Sequence, residues 1–178
     1  MGAKRSLVRL RYWKAKMKTG GIIIEGAEQQ GKSTFCDKLS KRLNIEIIHM
    51  HKGYGFVDGK FDYSTGYFYD IDRRPGTFIY DRSYMSELAY GKIFKRNNIT
   101  PEILQDIETR FNNLGYFLVL LELNLPWIDR METVTQEQNE KVKTAYREIF
   151  PKLKIDKFLI NPTDDAVEFI AKQYEARQ

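Results

Sequence analysis

Residues 21 to 34 read GIIIEGAEQQGKST in one-letter code. The isoleucine run after the first glycine predicts a short strand that is buried on both faces of a parallel sheet. A turn then begins at Gly26, and a helix opens at Lys32. The spacing from Gly26 to Ser33 matches the pattern G-x-x-x-x-G-K-[ST], with a strand before it and a helix after it.

This loop has the properties of a phosphate-binding loop. Glycine allows backbone angles at which successive N–H groups converge on an anion, and the start of the next helix adds the positive end of its dipole. We expect Lys32 to reach the β- and γ-phosphates of a nucleotide, and the Ser33 hydroxyl to ligate Mg²⁺. The residues predicted to bind ATP are Gly26, Gln29, Gln30, Gly31, Lys32, Ser33 and Thr34.

Apolar runs typical of strands recur along the chain at 21–25, 45–50, 77–81, 116–123 and 157–160. Helical patterns lie between them, and the predicted order is β-α-β-α-β-α-α-β-α-β-α. Strands that alternate with helices favour a parallel sheet that is covered on both faces. We therefore predict an α/β fold, the three-layer P-loop NTPase fold with a five-stranded parallel sheet flanked by helices.

Local signals place several helices. Phe35, Leu39 and Leu43 follow the phosphate loop at steps of four, so they share one helix face. Thr100 is a good N-cap for a later helix, with Pro101 in its first turn, and Gly115 is its expected stop. A Pro162-Thr163 pair precedes the last helix.

The composition indicates one compact domain. The chain has 178 residues, 42% of them hydrophobic, which is enough for a sizeable core. Cys36 is the single cysteine, so no disulfide within the chain can stabilise the fold. No apolar run approaches the roughly 20 residues of a membrane span, and the start does not resemble a secretory signal. We expect a cytoplasmic protein with no membrane partner.

Residues 1–19 form a basic arm before the main domain, which we place at 20–178. The arm has no acidic residue, and its basic residues are Lys4, Arg5, Arg9, Arg11, Lys14, Lys16 and Lys18. Charged runs are usually solvated, and a natural start at Met17 would make the arm dispensable. The alternative is that the arm binds nucleic acid, with Tyr12 and Trp13 available to stack on bases.

A second motif, FIYDRSYMSELAYGKIF, stands at the end of the third predicted strand of the sheet. Asp81 and Arg82 leave the sheet there, beside the phosphate loop. A carboxylate at this place can hold Mg²⁺ through water, and a guanidinium can neutralise a transferring phosphoryl group or grip an acceptor phosphate. The structural alternative is an ion pair that caps the strand.

The two motifs together resemble the thymidylate kinase and deoxynucleoside kinase branch of the P-loop kinases. IIIEGAEQQGKST is similar to the opening Φ-E-G-x-[DE]-x-x-G-K-[ST]-T, and DRSYMSELAYG is similar to D-R-[YHS]-x-x-S-x-x-A-Y-Q. KFLINPTDDAVEFIAKQY resembles the last strand and helix of these kinases. The resemblance covers most of the chain after Gly20. The compact size suits a divergent member of phage or mobile-element type.

The resemblance implies roles for individual residues. Glu28 corresponds to the loop acid that faces the acceptor's sugar, Asp81 to the carboxylate linked to Mg²⁺, and Arg82 to the arginine that holds phosphate at the reaction centre. Ser86 and Tyr90 belong to the part of the second motif near the acceptor.

The resemblance also implies a mobile lid after the fourth strand, at about 124–142, that contributes a catalytic arginine. Arg130 is the best candidate, although charged helices are usually just solvated.

The chain departs from the family after the second strand, where it reads IIHMHKGYG. A hydroxyl acceptor benefits from a base, whereas a monophosphate acceptor is already ionised and benefits from a cation, so Lys52 favours a phosphorylated acceptor. Asp58, Asp62 or Asp70 could still supply a base, which leaves a nucleoside acceptor open.

The acceptor region between the second and third strands is also short. Phe68, Tyr69 and Arg73 could contact the base of the acceptor or could pack in the core. His49 and His51 alternate on one strand face, but with one cysteine and no other histidine a zinc site is not expected, and packing or contact with the substrate is favoured.

The reaction predicted from the sequence is a Mg²⁺-dependent transfer of the ATP γ-phosphoryl group to a deoxynucleoside monophosphate, thymidylate or an analogue. The catalytic residues would be Lys32, Asp81, Arg82 and Arg130, with Ser33 and Asp81 at the metal. Glu28, Lys52, Tyr69, Arg73, Ser86 and Tyr90 would bind the acceptor. The alternatives are a deoxynucleoside kinase, a kinase acting on nucleic acid, and a phosphate-loop module without catalysis. A homodimer is also open.

Overall fold

A computed structural model describes residues 20–49, 56–57, 60–61, 77–95, 99–123, 126–128 and 134–178. Its strands in chain order are β1 (Ile22–Glu25), β2 (Glu46–His49), β3 (Phe56–Val57), β4 (Lys60–Phe61), β5 (Phe78–Asp81), β6 (Phe117–Leu121) and β7 (Lys157–Ile160). Five of them form one sheet in the order β2-β5-β1-β6-β7, and every neighbouring pair is parallel. The predicted five-stranded parallel sheet is confirmed.

The helices are α1 (Lys32–Leu43), α2 (Tyr84–Phe94), α3 (Pro101–Asn113), α4 (Gln136–Ile149) and α5 (Asp164–Glu175), with a 3₁₀ turn at Phe150–Lys152. The sequence signals at their ends act as expected. Thr100 accepts a hydrogen bond from the Ile103 N–H at 3.3 Å, and Thr163 caps α5 in the same way. After α3, Gly115 adopts the left-handed φ of 77° that favours glycine. None of the described helices is long and apolar enough to cross a membrane.

The sheet is covered on both faces because alternate residues of a strand point in opposite directions. Ile23 of β1 faces a cluster with Tyr80, Leu118 and residues of α2, α3 and α4. Ile22 and Ile24 face the other way, against α1 and α5. All three isoleucines have no exposed surface, as expected of a strand with neighbours on both sides. The core therefore fixes the position of β1 and of the loop that follows it.

The interval between β2 and β5 contains a short strand pair that the predicted order lacks. Phe56–Val57 and Lys60–Phe61 form this antiparallel pair, β3 with β4. Residues 50–55, 58–59 and 62–76 lie outside the described part of the chain. The helix that the predicted order places in this interval therefore stays a prediction.

Candidate functional site

The phosphate loop leaves the carboxyl end of β1 at Glu25 and enters α1 at Lys32. Gln29 and Gly31 have positive φ values of 61° and 71°, which turn the chain tightly before the helix. A Cβ on Gly26 would lie 3.2 Å from the Leu121 carbonyl oxygen, so this position also has little room for a side chain. The unpaired N–H groups of the first turn of α1 thus face the mouth of the loop, where an anion is stabilised.

Lys32 and Asp81 form an ion pair at the ends of β1 and β5. The Lys32 Nζ lies 2.5 Å from Asp81 Oδ1, and the side chains are 11% and 9% exposed. His49, whose Cα pairs with that of Asp81 across β2 and β5, places Nδ1 2.9 Å from Asp81 Oδ2. Burial alone would raise the pKa of Asp81, but Lys32, His49 and Arg82 outweigh it and hold the pKa below its usual value. Asp81 is therefore a carboxylate anion at neutral pH.

Arg82 follows Asp81 and turns its guanidinium toward the phosphate loop. Its Nη2 lies 2.5 Å from Glu28 Oε1, and Nη1 donates to Tyr90 Oη at 3.2 Å. Tyr90 donates in turn to Glu28 Oε1 at 3.1 Å. The three side chains close a ring of charge-assisted hydrogen bonds, and the guanidinium carbon also lies 5.2 Å from the centre of the Tyr90 ring.

Arg82 holds this position with a strained backbone. Its φ of 71° lies in the left-handed region, which is costly for a residue with a Cβ, and its N–H donates to the Ile24 carbonyl at 2.9 Å. Burial lowers the pKa of Arg82, yet Tyr146, Tyr90 and Glu28 outweigh burial and the pKa rises. A fixed cation thus lies between the phosphate loop and α2.

A buried polar cluster supports the floor of the site. Glu25 has no exposed surface and accepts hydrogen bonds from Ser83 Oγ at 2.8 Å and from Ser86 Oγ at 2.5 Å. Tyr146 Oη of α4 lies 3.2 Å from Glu25 Oε2 and 2.7 Å from Ser86 Oγ. Burial and the nearby Glu25 charge raise the pKa of Tyr146 well above its usual value, so it remains a neutral donor. The sequence predicted that Ser86 binds the acceptor substrate, but no sequence pattern indicated its hydrogen bond with Glu25.

The side chains of the two loop glutamines bind the segment after β6. Gln30 is 4% exposed, and its Oε1 accepts from the Leu123 N–H at 2.6 Å. Gln29 binds both the N–H and the carbonyl of Ile128, at 3.0 and 2.7 Å. A nucleotide would therefore meet the backbone of these residues, since their amides are engaged elsewhere. A further amide, that of Asn139, binds the backbone of Glu28.

Ser33 and Thr34 are exposed in the first turn of α1, on the side where a nucleotide would bind. The described residues contain no group of three or more His, Cys, Asp or Glu side chains that could hold a metal by themselves. A divalent ion here would take most of its ligands from phosphate and water, as Mg²⁺ commonly does.

Several predicted residues cannot be placed, because they lie outside the described part of the chain. They are the arm 1–19 and Lys52, Tyr69, Arg73 and Arg130, together with His51, Asp58, Asp62, Phe68 and Asp70. Their roles stay predictions. Lys32, Asp81, Arg82, Glu28 and Tyr90, by contrast, come together at one edge of the sheet.

Neither a protein-family model nor a curated protein sequence matches the chain. Solved structures do. The chain is similar to the YorR protein of Bacillus subtilis in complex with phosphorylated GDP, with 23% identity and a TM-score of 0.66, over 88% of this chain and 94% of the other. It is also similar to deoxyadenosine kinase from M. mycoides, solved with products dCMP and dCDP, with 18% identity and a TM-score of 0.58. That match covers 89% of this chain and 100% of the other.

A second structure of the M. mycoides deoxyadenosine kinase, with bound dATP, matches at 18% identity and a TM-score of 0.55, over 87% of this chain and 99% of the other. Identities this low establish the fold but not the reaction. The parallel strand order, the loop between β1 and α1 and these neighbours agree. The chain has the α/β fold of the P-loop kinases, a five-stranded parallel sheet flanked by helices.

Proposed function

We propose that the protein is a Mg²⁺-dependent nucleotide kinase that transfers the γ-phosphoryl group of ATP to a deoxynucleoside monophosphate, thymidylate or an analogue. One observation carries the proposal. The phosphate-loop lysine, Lys32, and the Asp81-Arg82 pair meet at the carboxyl ends of β1 and β5, where α/β proteins bind their ligands. Positioning and charge neutralisation are the main demands of phosphoryl transfer, and this cluster supplies both.

The donor side is the phosphate loop. The N–H groups at the start of α1 would hold the phosphates of ATP, and Lys32 would contact their outer oxygens. Ser33 and Asp81 offer the hard oxygen donors that Mg²⁺ prefers, and the lowered pKa of Asp81 keeps its carboxylate ionised. When bound there, Mg²⁺ would neutralise charge on the transferring group.

The acceptor side is the ring of Arg82, Glu28 and Tyr90. The pKa of Arg82 is raised, so Arg82 is charged at neutral pH and can hold a phosphate that approaches the phosphate loop. Glu28 and Tyr90 would then face the sugar. The nucleotides in the structures of the YorR protein and of deoxyadenosine kinase support a nucleotide ligand on this fold.

A deoxynucleoside acceptor is the second candidate. The charge of Arg82 is already paired with Glu28 at 2.5 Å, so the described site has no excess of positive charge for a monophosphate. A deoxyadenosine kinase is also among the similar structures. Phosphorylation of a 5′-hydroxyl would require a carboxylate base, which the described residues could provide from Glu28.

The test is transfer of labelled γ-phosphate from ATP and Mg²⁺ to thymidine, deoxyadenosine, dTMP, dUMP, dGMP, dCMP, 5-hydroxymethyl-dUMP and oligonucleotides. Label on a monophosphate supports the main proposal, and label on nucleosides alone supports the second. Label on DNA alone, or on nothing, contradicts both.

Matched variants link the activity to the site. Arg82→Lys keeps the charge but loses the forked contact with Glu28 and Tyr90, and we expect kcat/KM to fall about 100-fold or more. Arg42→Lys is the control, because Arg42 binds Glu168 and Glu175 at the other end of α1. Equal values of kcat/KM for Arg82→Lys and Arg42→Lys would show that the activity does not depend on Arg82.

A further inference from the structure

Asn139 is an asparagine buried in the first half of α4, with 1% of its surface exposed. Its Oδ1 accepts from the Glu28 N–H at 3.0 Å, and its Nδ2 donates to the Glu28 carbonyl at 3.3 Å. The two residues are 111 positions apart in the sequence. One side-chain amide therefore binds both backbone groups of a single phosphate-loop residue.

This arrangement fixes the orientation of the peptide groups around Glu28. A buried amide is costly unless both its oxygen and its nitrogen are paired, and here one residue satisfies both. If the backbone at Glu28 rotated, both hydrogen bonds would be lost together. The amide of Asn139 thus holds the loop backbone as a neighbouring strand would.

A second residue of α4, Tyr146, binds Glu25, three residues before Glu28 in the chain. Tyr146 lies seven residues, or about 10.5 Å, beyond Asn139 along the helix, and its Oη reaches Glu25 at 3.2 Å. Helix α4 thus binds both Glu25 and Glu28, the two ends of the segment that begins the phosphate loop.

The position of the Glu28 backbone decides where its carboxylate lies. That carboxylate is the partner of Arg82 Nη2 at 2.5 Å and of Tyr90 Oη at 3.1 Å. A shift of the loop by one ångström could lengthen this contact to about 3.5 Å, beyond the usual range of a strong hydrogen bond. Asn139 touches neither of these partners, yet it controls the residue that aligns them.

We propose that Asn139 is a positioning residue that holds Glu28 against Arg82 and so sets the affinity for the acceptor. This inference rests on the proposed function, in which the Glu28-Arg82-Tyr90 ring binds the acceptor. It assigns to α4 a role in acceptor binding through the backbone of Glu28.

A double-mutant cycle tests the inference. Asn139→Ala should raise the KM for the acceptor about tenfold, the effect expected from the loss of two hydrogen bonds, with a much smaller change for ATP. Glu28→Ala keeps the backbone groups that Asn139 binds but removes the carboxylate. In that background Asn139→Ala should leave the acceptor KM unchanged, because the two substitutions act through one group.

A general structural role gives a different pattern. It would raise the acceptor KM equally in both backgrounds, and that result, or an unchanged KM in Asn139→Ala, would overturn the proposal. Asn139→Leu keeps the volume without the polar atoms and serves if the alanine variant is unstable. Asn112→Ala is the control, since Asn112 is an exposed asparagine whose amide also binds a distant carbonyl, that of Lys154 at 3.2 Å.

The Glu28-Arg82 pair can also be followed without turnover. A guanidinium N–H held by a carboxylate exchanges slowly with water and gives a sharp NMR signal, which Arg82→Lys would assign by its loss. We expect this signal to broaden in Asn139→Ala and not in Asn112→Ala. If the Arg82 signal is unchanged in Asn139→Ala, the proposal is overturned, whether or not any acceptor is phosphorylated. If the signal broadens in Asn139→Ala but no acceptor is phosphorylated by the wild type, only the proposed function is rejected.

Discussion

The Lys32 ammonium lies 2.5 Å from the Asp81 carboxylate, at the point where the phosphate loop meets the end of β5. The pair joins the residue that would contact ATP phosphates to the residue that would hold Mg²⁺. Phosphate oxygens that bind Lys32 must therefore compete with Asp81, and release of Asp81 makes its oxygens available to a metal. On the proposed function, the ion pair would couple these two binding events.

The same pair makes Lys32 important for stability. Lys32→Met removes the nearest cation from a carboxylate that is 9% exposed, and we expect a loss of about 2–3 kcal/mol in the free energy of unfolding, measured in urea. Lys38→Met is the matched control on α1. Its pair with Asp164 has side chains that are 52% and 84% exposed, so its loss should stay below about 1 kcal/mol. Similar losses for both variants would contradict the buried character of the first pair.

The lowered pKa of Asp81 predicts how stability depends on pH. Burial opposes ionisation, but Lys32, His49 and Arg82 favour it more strongly. Because the pKa is lower in the folded protein than the value of about 3.9 in unfolded chains, the ionised group adds stability that is complete above that value. The contribution is lost as the pH falls through the folded-state pKa. The difference between the wild type and Asp81→Asn should therefore shrink below about pH 4, and a difference that grows with acid would contradict the assignment.

Local patterns predicted the scaffold because they act within a few residues. The isoleucine run of β1, the glycines of the phosphate loop and the caps at Thr100 and Thr163 each depend on near neighbours, and each was found as expected. The meeting of Lys32 with Asp81 followed from the rule that parallel strands end at one edge of the sheet.

The residues that hold the site in place could not be predicted from local patterns. Asn139 lies 111 residues from Glu28, and Tyr146 lies 121 residues from Glu25, so no periodicity or local motif relates them. The signals available were a polar residue on an otherwise apolar face of α4 and an acid at the end of a buried strand. For His49 the sequence favours packing or contact with the substrate over a zinc site, and the structure places its ring nitrogen 2.9 Å from Asp81 Oδ2.

A substitution of Ser86 tests whether this residue contacts the acceptor or only stabilises the buried polar cluster around Glu25. Its hydroxyl binds Glu25 at 2.5 Å and Tyr146 at 2.7 Å, so we expect Ser86→Ala to cost about 1–3 kcal/mol in the free energy of unfolding while leaving the KM for the acceptor unchanged. Thr109→Ala, which removes an exposed hydroxyl bond within α3, is the control and should cost less than about 0.5 kcal/mol. A raised KM with unchanged stability would instead support the acceptor role that the motif implied.

Tyr90 should act as a neutral hydroxyl throughout the working pH range. Burial raises its pKa to about 12, with opposing contributions from Arg82 and Glu28. We expect Tyr90→Phe to raise the acceptor KM about three- to tenfold through the lost hydrogen bonds to Arg82 and Glu28. The pH profile of kcat/KM between pH 7 and 10 should keep its shape. A limb of that profile that disappears in Tyr90→Phe would show that the phenol titrates there.

Cys36 offers a measurement of stability and of nucleotide binding at once. It is the single cysteine of the chain, it has no exposed surface in α1, and burial raises the pKa of its thiol. Because the thiolate is the reactive form, a disulfide reagent should label Cys36 only when the protein unfolds. A Lys38→Cys variant adds an exposed thiol on the same helix, and that thiol should react at once while Cys36 stays protected.

Nucleotide binding should slow this labelling further. A ligand that binds only the folded protein at 100 times its Kd stabilises it by about 2.7 kcal/mol, which lowers the labelling rate of Cys36 about 100-fold when labelling follows the unfolding equilibrium. We expect this protection with ATP and Mg²⁺, and a weaker effect in Lys32→Met. Protection that is equal in the two proteins would place the nucleotide away from the phosphate loop, because Lys32 is the side chain that would contact its phosphates.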